Sequence, residues 1–157
     1  KADSFEQAVK TILGARKIYL MGLRSSSPLS SFMHFYMTLL FDDVIHIHSN
    51  SANEVFEQIM PITSNDVIIG ISFPRYSQRT VSSMAYAKKR GAKVIAITDK
   101  DNTALTENAD IKLLAKSSMA SFVDSLAAPL SLINALLVTL GKDGAVAFDE
   151  NDNSFIL

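Results

Sequence analysis

The segment from Asp66 to Ser72, DVIIGIS, constrains this chain more than any other. Its apolar run has no polar face, so it does not suit a strand with water on one side. It belongs to a parallel strand covered by helices on both faces. Lys93 to Thr98, KVIAIT, repeats the pattern. Between them Ser77 to Arg90 reads as a helix, with Val81, Met84, Ala85 and Lys88 at one-turn spacing and Gly91 just past its end. Strand, helix and strand in that order form a right-handed crossover in a parallel sheet.

The rest of the chain continues the alternation. Ser4 and Gln7 have the spacing of a capping box for a helix running to about Gly14. Lys17 to Met21 is a short buried strand ended by Gly22. Ser25 to Ser31 is small and polar, and a helix carrying Phe32, Phe35, Tyr36, Leu39 and Leu40 follows. Asp42-Asp43 is a turn, Val44 to His48 alternates as a second strand, and a helix spans about Ser51 to Met60. Later come a short helix around Thr103 to Asn108, a fifth strand from Asp110 to Ala115 and a long apolar helix near 120–140. Residues 143–157 read as a loosely ordered tail. The expected fold is α/β: three layers, α/β/α, around a five-stranded parallel sheet in the flavodoxin-like order 2-1-3-4-5.

The 157 residues are the length of one domain, 1–157, with its core in about 5–142. Hydrophobic residues make up 48% and charged ones 20%, a globular balance. Fifteen basic and sixteen acidic residues leave a net charge of −1 with no basic run, which argues against a nucleic-acid grip by this chain. The absence of cysteine excludes disulfides, thiolate metal sites and cysteine nucleophiles. Lys1 leads into a polar segment without a secretory apolar core, so a cytoplasmic location is expected. The missing initiator Met suggests a domain excised from a longer protein. Phe122 to Leu140 is interrupted by Asp124, Pro129, Ser131 and Asn134, so a buried helix is expected there, and no membrane partner.

In the order 2-1-3-4-5 the switch point lies between the first and third strands, and ligands bind at the carboxyl ends of the strands there. Both loops at that point are unusual. After the first strand stands Gly22-Leu23-Arg24-Ser25-Ser26-Ser27. Gly22 permits a tight turn off the strand, and the serines sit at a helix start, where free N–H groups favour an anion. After the third strand comes Ser72-Phe73-Pro74-Arg75-Tyr76-Ser77-Gln78-Arg79-Thr80. Hydroxyls and amides here suit a phosphate, with Arg75 or Arg79 adding charge-assisted bonds. The competing structural reading makes Ser77 a helix cap, Pro74 turn chemistry and Ser27-Pro28 a cap for the earlier helix.

Neither loop carries G-x-G-x-x-G or G-x-x-x-x-G-K-[ST], and no cofactor is expected. His34 lies among Phe32, Met33, Phe35 and Tyr36, as a partly buried or interface residue would. His46 and His48 share one face of an alternating strand, but no third ligand accompanies them, so no metal is expected.

The stretches IYLMGLRSSS, VIIGISFPRYSQRTV and AKKRGAKVIAITD resemble the sugar isomerase (SIS) domain, and most of all the ligand-sensing domain of RpiR-type transcriptional regulators. The resemblance covers roughly residues 5–142. It implies phosphosugar binding by hydroxyl-bearing residues of the two loops: Ser25 and Ser26 in the first, Ser72, Ser77 and Thr80 in the second. It also implies a dimer or larger assembly. The commoner second loop of that family reads S-x-S-G-x-[ST]; here Pro74 and Arg75 replace its serine and glycine. The regulators carry an N-terminal helix-turn-helix domain that is not in this sequence, so DNA enters as a partner only through a domain beyond it.

The expected function is therefore non-catalytic: a phosphosugar-sensing domain of a transcriptional regulator, forming a homodimer through the helix near 120–140. The alternative is an aldose–ketose phosphate isomerase. That chemistry needs a base; the candidates are Glu54, His34, His46 and His48, of which Glu54, near the carboxyl end of the second strand and beside the first loop, is the best placed.

Overall fold

The apolar runs become the inner strands of one sheet in a computed structural model that describes residues 2–48, 51–117, 125–144, 147–149 and 154–156. The order is α1 (Ala2–Leu13), β1 (Ile18–Gly22), a 3-10 turn (Arg24–Ser26), α2 (Ser27–Leu40), β2 (Val44–His46) and α3 (Ala52–Ile59). Then come β3 (Val67–Ile71), α4 (Gln78–Lys89), β4 (Lys93–Thr98), β5 (Ile111–Leu114) and α5 (Ala127–Asp143). The five strands pair in parallel as β2-β1-β3-β4-β5, the expected order.

The period-2 geometry of each strand divides the core into two halves. Ile18, Leu20, Val67, Ile69, Ile95 and Ile97 face Val9, Ile12, Met33, Met37, Ile133 and Leu136 of α1, α2 and α5. Tyr19, Met21, Ile68, Val94 and Ala96 face Val55, Ile59, Met84 and Ala87 of α3 and α4. Every residue of β1 and β3 is buried, which is why DVIIGIS carries no polar alternation. Gly70 makes room for α4: a Cβ there would lie 2.4 Å from the Met84 sulfur.

Several local expectations change. The Ser4–Gln7 capping box does not form, because α1 is already under way at Ala2 and Gln7 Nε2 donates to Asp3 Oδ2 at 3.2 Å. The second strand ends at His46; the His48 N–H turns away to Gln58 Oε1 at 3.0 Å. The buried face of α4 is Thr80, Ser83, Met84 and Ala87; of the expected Val81, Met84, Ala85 and Lys88 stripe only Met84 is fully buried. Thr103 to Asn108 forms successive turns in place of a helix, its bonds running over three residues from Thr106 to Thr103 and from Ala109 to Thr106. Among the described residues of the C-terminal segment, α5 continues to Asp143, and β6 (Ala147–Asp149) pairs antiparallel with β7 (Ser154–Ile156). The first part of the apolar stretch near 120–140, residues 118–124, lies outside the described residues. Among the described residues no helix is long and apolar enough to cross a membrane.

Candidate functional site

β1 and β3 are neighbours, yet their following helices lie on opposite faces of the sheet, so their carboxyl ends leave a crevice between the two loops. Two connected recesses occupy it. One, of about 510 Å³, is lined by Leu23, Arg24, Ser25, Ser26, Ser72, Phe73, Arg75 and Ser77. The other, of about 750 Å³, adds Gly22, Ser27, His46, Ile47, His48, Tyr76, Gln78 and Arg79, and shares Leu23, Arg24, Arg75 and Ser77 with the first. The serines are concentrated in the smaller lobe and the imidazoles lie in the larger, while Arg24 and Arg75 line both.

The first loop is shaped by contact with Gly22. A Cβ there would sit 2.8 Å from the Ser26 carbonyl oxygen and 2.8 Å from the Ser30 Cβ. The glycine is needed for space, because the turn Arg24–Ser26 folds back over it; its backbone is not in the left-handed region. Ser26 is buried, Ser25 is exposed, and neither Ser26 nor Leu23 caps the helix start with a side chain. The serines are therefore not spent on capping this helix.

The second loop is tied internally. Ser72 is buried, and its Oγ accepts the Ser77 N–H at 3.0 Å. Ser77 in turn is the N-cap of α4 and accepts the Thr80 N–H at 3.3 Å. The Tyr76 hydroxyl donates to Asp99 Oδ1 at 2.5 Å, fastening the loop to the end of β4. Burial, then the hydrogen bond to Asp99 and its charge, push the Tyr76 phenol up to about 12, so it remains a donor at neutral pH.

Each loop holds one arginine in the left-handed region, Arg24 at φ 57° and Arg75 at φ 66°. A residue with a Cβ pays about 1–2 kcal/mol for that conformation, and such backbone is concentrated at functional sites. Arg75 stands where the commoner family pattern has glycine. The positive φ explains the glycine: the turn is kept and a guanidinium is added at its tip.

On the β2 side the structure assembles three imidazoles. His34 from α2 stacks on His46 with centroids 4.8 Å apart, and His46 lies 4.5 Å from His48. His46 Nε2 is 2.9 Å from Ser30 Oγ, whose proton is in reach of the Gly22 carbonyl at 3.1 Å. Burial, then the charges of His48 and His34, lower the His46 pKa to about 4, so it is neutral at physiological pH. His34 is lowered as well, by burial and then by His48. No group of three His, Cys, Asp or Glu residues that could hold a metal occurs among the described residues.

Of the expected residues, Gly22, Ser25, Ser26, Ser72, Ser77 and Arg75 line the crevice. Thr80 does not: it is fully buried under α4, and its Oγ1 has no hydrogen-bond partner there. Glu54 does not either; it is exposed in the first turn of α3, with its N–H capped by Ser51. Arg24 and Tyr76 were not expected in the site, nor were His46 and His48 expected in this role. Arg24 had one signal, its place in a tight post-strand turn where a nucleotide loop would need glycine; Tyr76 had none.

Comparison with known proteins agrees with this geometry. The SIS domain family model matches residues 11–139. An uncharacterized HTH-type transcriptional regulator of Haemophilus influenzae is 30% identical over 159 aligned residues, covering 97% of this chain and 54% of that protein. The chain therefore spans about half the length of that relative. The sugar isomerase domain of an RpiR transcription factor from Sphaerobacter thermophilus superposes with a TM-score of 0.86 at 22% identity, over 92% of this chain and 80% of that one. The Vibrio vulnificus NanR protein, solved with ManNAc-6P, gives a TM-score of 0.78 at 14% identity, over 91% and 55% of the two chains. Sheet order, crevice and a family match over most of its length lead to one conclusion: this chain belongs to the SIS domain family.

Proposed function

We propose that this chain is the phosphosugar-sensing domain of a cytoplasmic transcriptional regulator, and that it binds its ligand without catalysis. The observation that carries the reading is the crevice between the β1 and β3 loops. Ser25, Ser26, Ser72 and Ser77 line one lobe of it, and two arginines stand at its boundary. Hydroxyls and backbone amides at the start of α4 suit a phosphate. Arg24 and Arg75 add charge-assisted donors. The regulator relatives and the ManNAc-6P bound to NanR support the same chemistry.

Isomerisation requires a base within reach of the substrate carbon. Among the described residues lining the two recesses there is no carboxylate, and Glu54 lies outside them; the imidazoles there are His46, whose Nε2 is engaged with Ser30 Oγ at 2.9 Å, and His48. This favours sensing. DNA would be bound by a separate helix-turn-helix domain, and two copies of this chain would pair through the faces of α5 and its neighbour α2. A ligand bridging the two loops would then alter the geometry between protomers.

The test is thermal denaturation of the chain with a panel of sugar phosphates. A binder at a hundredfold excess over its Kd stabilises by about 2.7 kcal/mol. Ser72→Ala should reduce the shift produced by the best ligand. A panel that leaves the melting temperature unmoved sinks the reading. Turnover of an aldose–ketose phosphate pair, abolished by Glu54→Gln, would replace sensing with isomerisation.

A further inference from the structure

The Ser30 hydroxyl, on the first turn of α2, fixes where a crevice histidine carries its proton. Ser30 is fully buried, and three polar groups lie within reach of its Oγ: the Gly22 carbonyl at 3.1 Å, the Ser27 carbonyl at 3.2 Å and His46 Nε2 at 2.9 Å. A hydroxyl has one proton and two lone pairs, and a carbonyl oxygen only accepts. Were the proton given to the imidazole, the Ser30 oxygen would face both carbonyl oxygens with no hydrogen between them, and its lone pairs would lack a donor. With the proton on the carbonyl side, His46 donates Nε2–H to Ser30, and the serine both gives and receives. Leaving buried polar groups unpaired is the more expensive choice, so the second arrangement holds.

That leaves Nδ1. Burial keeps His46 uncharged at neutral pH, so an imidazole protonated on Nε2 carries a bare lone pair on its other nitrogen. No described residue donates to it. His34 and His48 lie beside the ring, at centroid distances of 4.8 and 4.5 Å, but neither is hydrogen-bonded to it. His46 lines the larger recess. Other groups in that recess can change part: the exposed Ser27 hydroxyl rotates and the Gln78 amide turns over. The guanidinium groups only donate. His46, with its tautomer held by a buried serine, can only accept. Tyr76 shares that property, its proton given to Asp99, but it is fastened on the β4 side. A fixed acceptor discriminates: it bonds a hydroxyl or N–H, and it sets lone pair against lone pair when a carbonyl or carboxylate oxygen approaches.

From this arrangement we infer that His46 Nδ1 is a fixed hydrogen-bond acceptor on the β2 side of the crevice, and that it selects a ligand whose sugar body presents a hydroxyl or N–H there. Ser30 acts through His46, as a positioning residue. This rests on the phosphosugar reading and adds to it the kind of group that the sugar carries opposite β2.

Proton–nitrogen correlation spectra of the nitrogen-15-labelled chain at neutral pH read the tautomer directly. The chain has three histidines, and His46→Phe assigns the set that it removes. His46 should carry its proton on Nε2 and none on Nδ1. The probes are the 6-phosphates of glucose, fructose, glucosamine and N-acetylmannosamine, with inorganic phosphate as the compound that has no sugar body. The best-binding sugar phosphate should displace the Nδ1 resonance further than inorganic phosphate does, while Nε2 keeps its proton. His46→Phe retains a ring without nitrogen and should weaken that sugar phosphate about tenfold, and inorganic phosphate by less. Ser30→Ala removes the partner of Nε2, so the two tautomers should mix and the affinity should fall in the same direction. If His46→Phe does not fold, the tautomer and Ser30→Ala decide. A free chain with the His46 proton on Nδ1, or with a charged imidazole, overturns the inference before any ligand is added. A sugar phosphate that binds His46→Phe as tightly as the wild-type chain overturns it too, and leaves the phosphosugar site standing. Failure of all four sugar phosphates to bind the wild-type chain sinks the phosphosugar reading, and this inference with it.

Discussion

His46 shows how one residue is kept uncharged in a cationic crevice. Its imidazole is partly buried between His34, His48 and the Ser30 hydroxyl, and burial leads the causes that lower its pKa to about 4. In the unfolded chain it titrates near the ordinary 6.5. The unfolded state thus takes up a proton that the folded state refuses. The stabilisation is complete above pH 6.5 and declines as pH falls from there through about 4. Melting temperature measured across that window should fall, and His46→Gln should flatten the decline. An unchanged slope in the variant would show that His46 does not carry it. His34 is shifted in the same direction and should account for part of the remaining slope.

At the scale of the element, Ser77 combines two roles that substitution can separate. As N-cap of α4 it accepts the Thr80 N–H, and as a crevice residue it faces the space between the loops. Ser77→Ala should cost about 1 kcal/mol of stability, and Ser77→Gly only a few tenths. Both lose the hydroxyl. Equal loss of ligand affinity in the two variants, read beside their unequal melting temperatures, would assign the binding effect to contact and not to the cap. Normal ligand affinity in Ser77→Gly would leave Ser77 as a cap alone.

The strands were legible because DVIIGIS and KVIAIT have no polar face, and the strand order followed from the alternation of elements. The serines of both loops were legible as well, since they exceed the needs of a turn. What the sequence hid depends on three-dimensional approach. Thr80 shares a helical turn with Ser77 but points beneath α4, because Gly70 draws the helix against the sheet. His34 meets His46 only when α2 packs beside β2, and Tyr76 enters the site because Asp99, at the end of another strand, holds its hydroxyl. The left-handed conformation of Arg24 could not be read from composition, because it is a property of how the loop folds back over Gly22.

For the molecule as a whole, the outer face of the α2–α5 pair bears on assembly. Phe35 is 61% exposed and Val138 57%, with Tyr36, Leu39 and Leu130 exposed beside them in sequence. α2 has no charged residue, and α5 has none before Lys142. Exposed apolar side chains on uncharged helices fit the proposed pairing of two copies. Phe35→Glu should shift the chain to a monomer in light scattering without lowering its melting temperature by more than a few degrees. A wild-type chain that is already monomeric at high concentration would remove the dimer from the proposed function.

The pairing of β1 with β3 has one more consequence. Ile18 lies opposite Val67, 49 residues further along the chain, and a helix, a strand and another helix intervene. The two halves of the crevice are therefore made at different times during synthesis and meet only when this distant pairing closes. No partly folded chain that lacks the pairing can hold the ligand between its loops. A ligand that bridges them acts as a clasp across this long-range contact. It should lengthen the life of the folded state by retarding unfolding, while leaving the rate of folding nearly untouched.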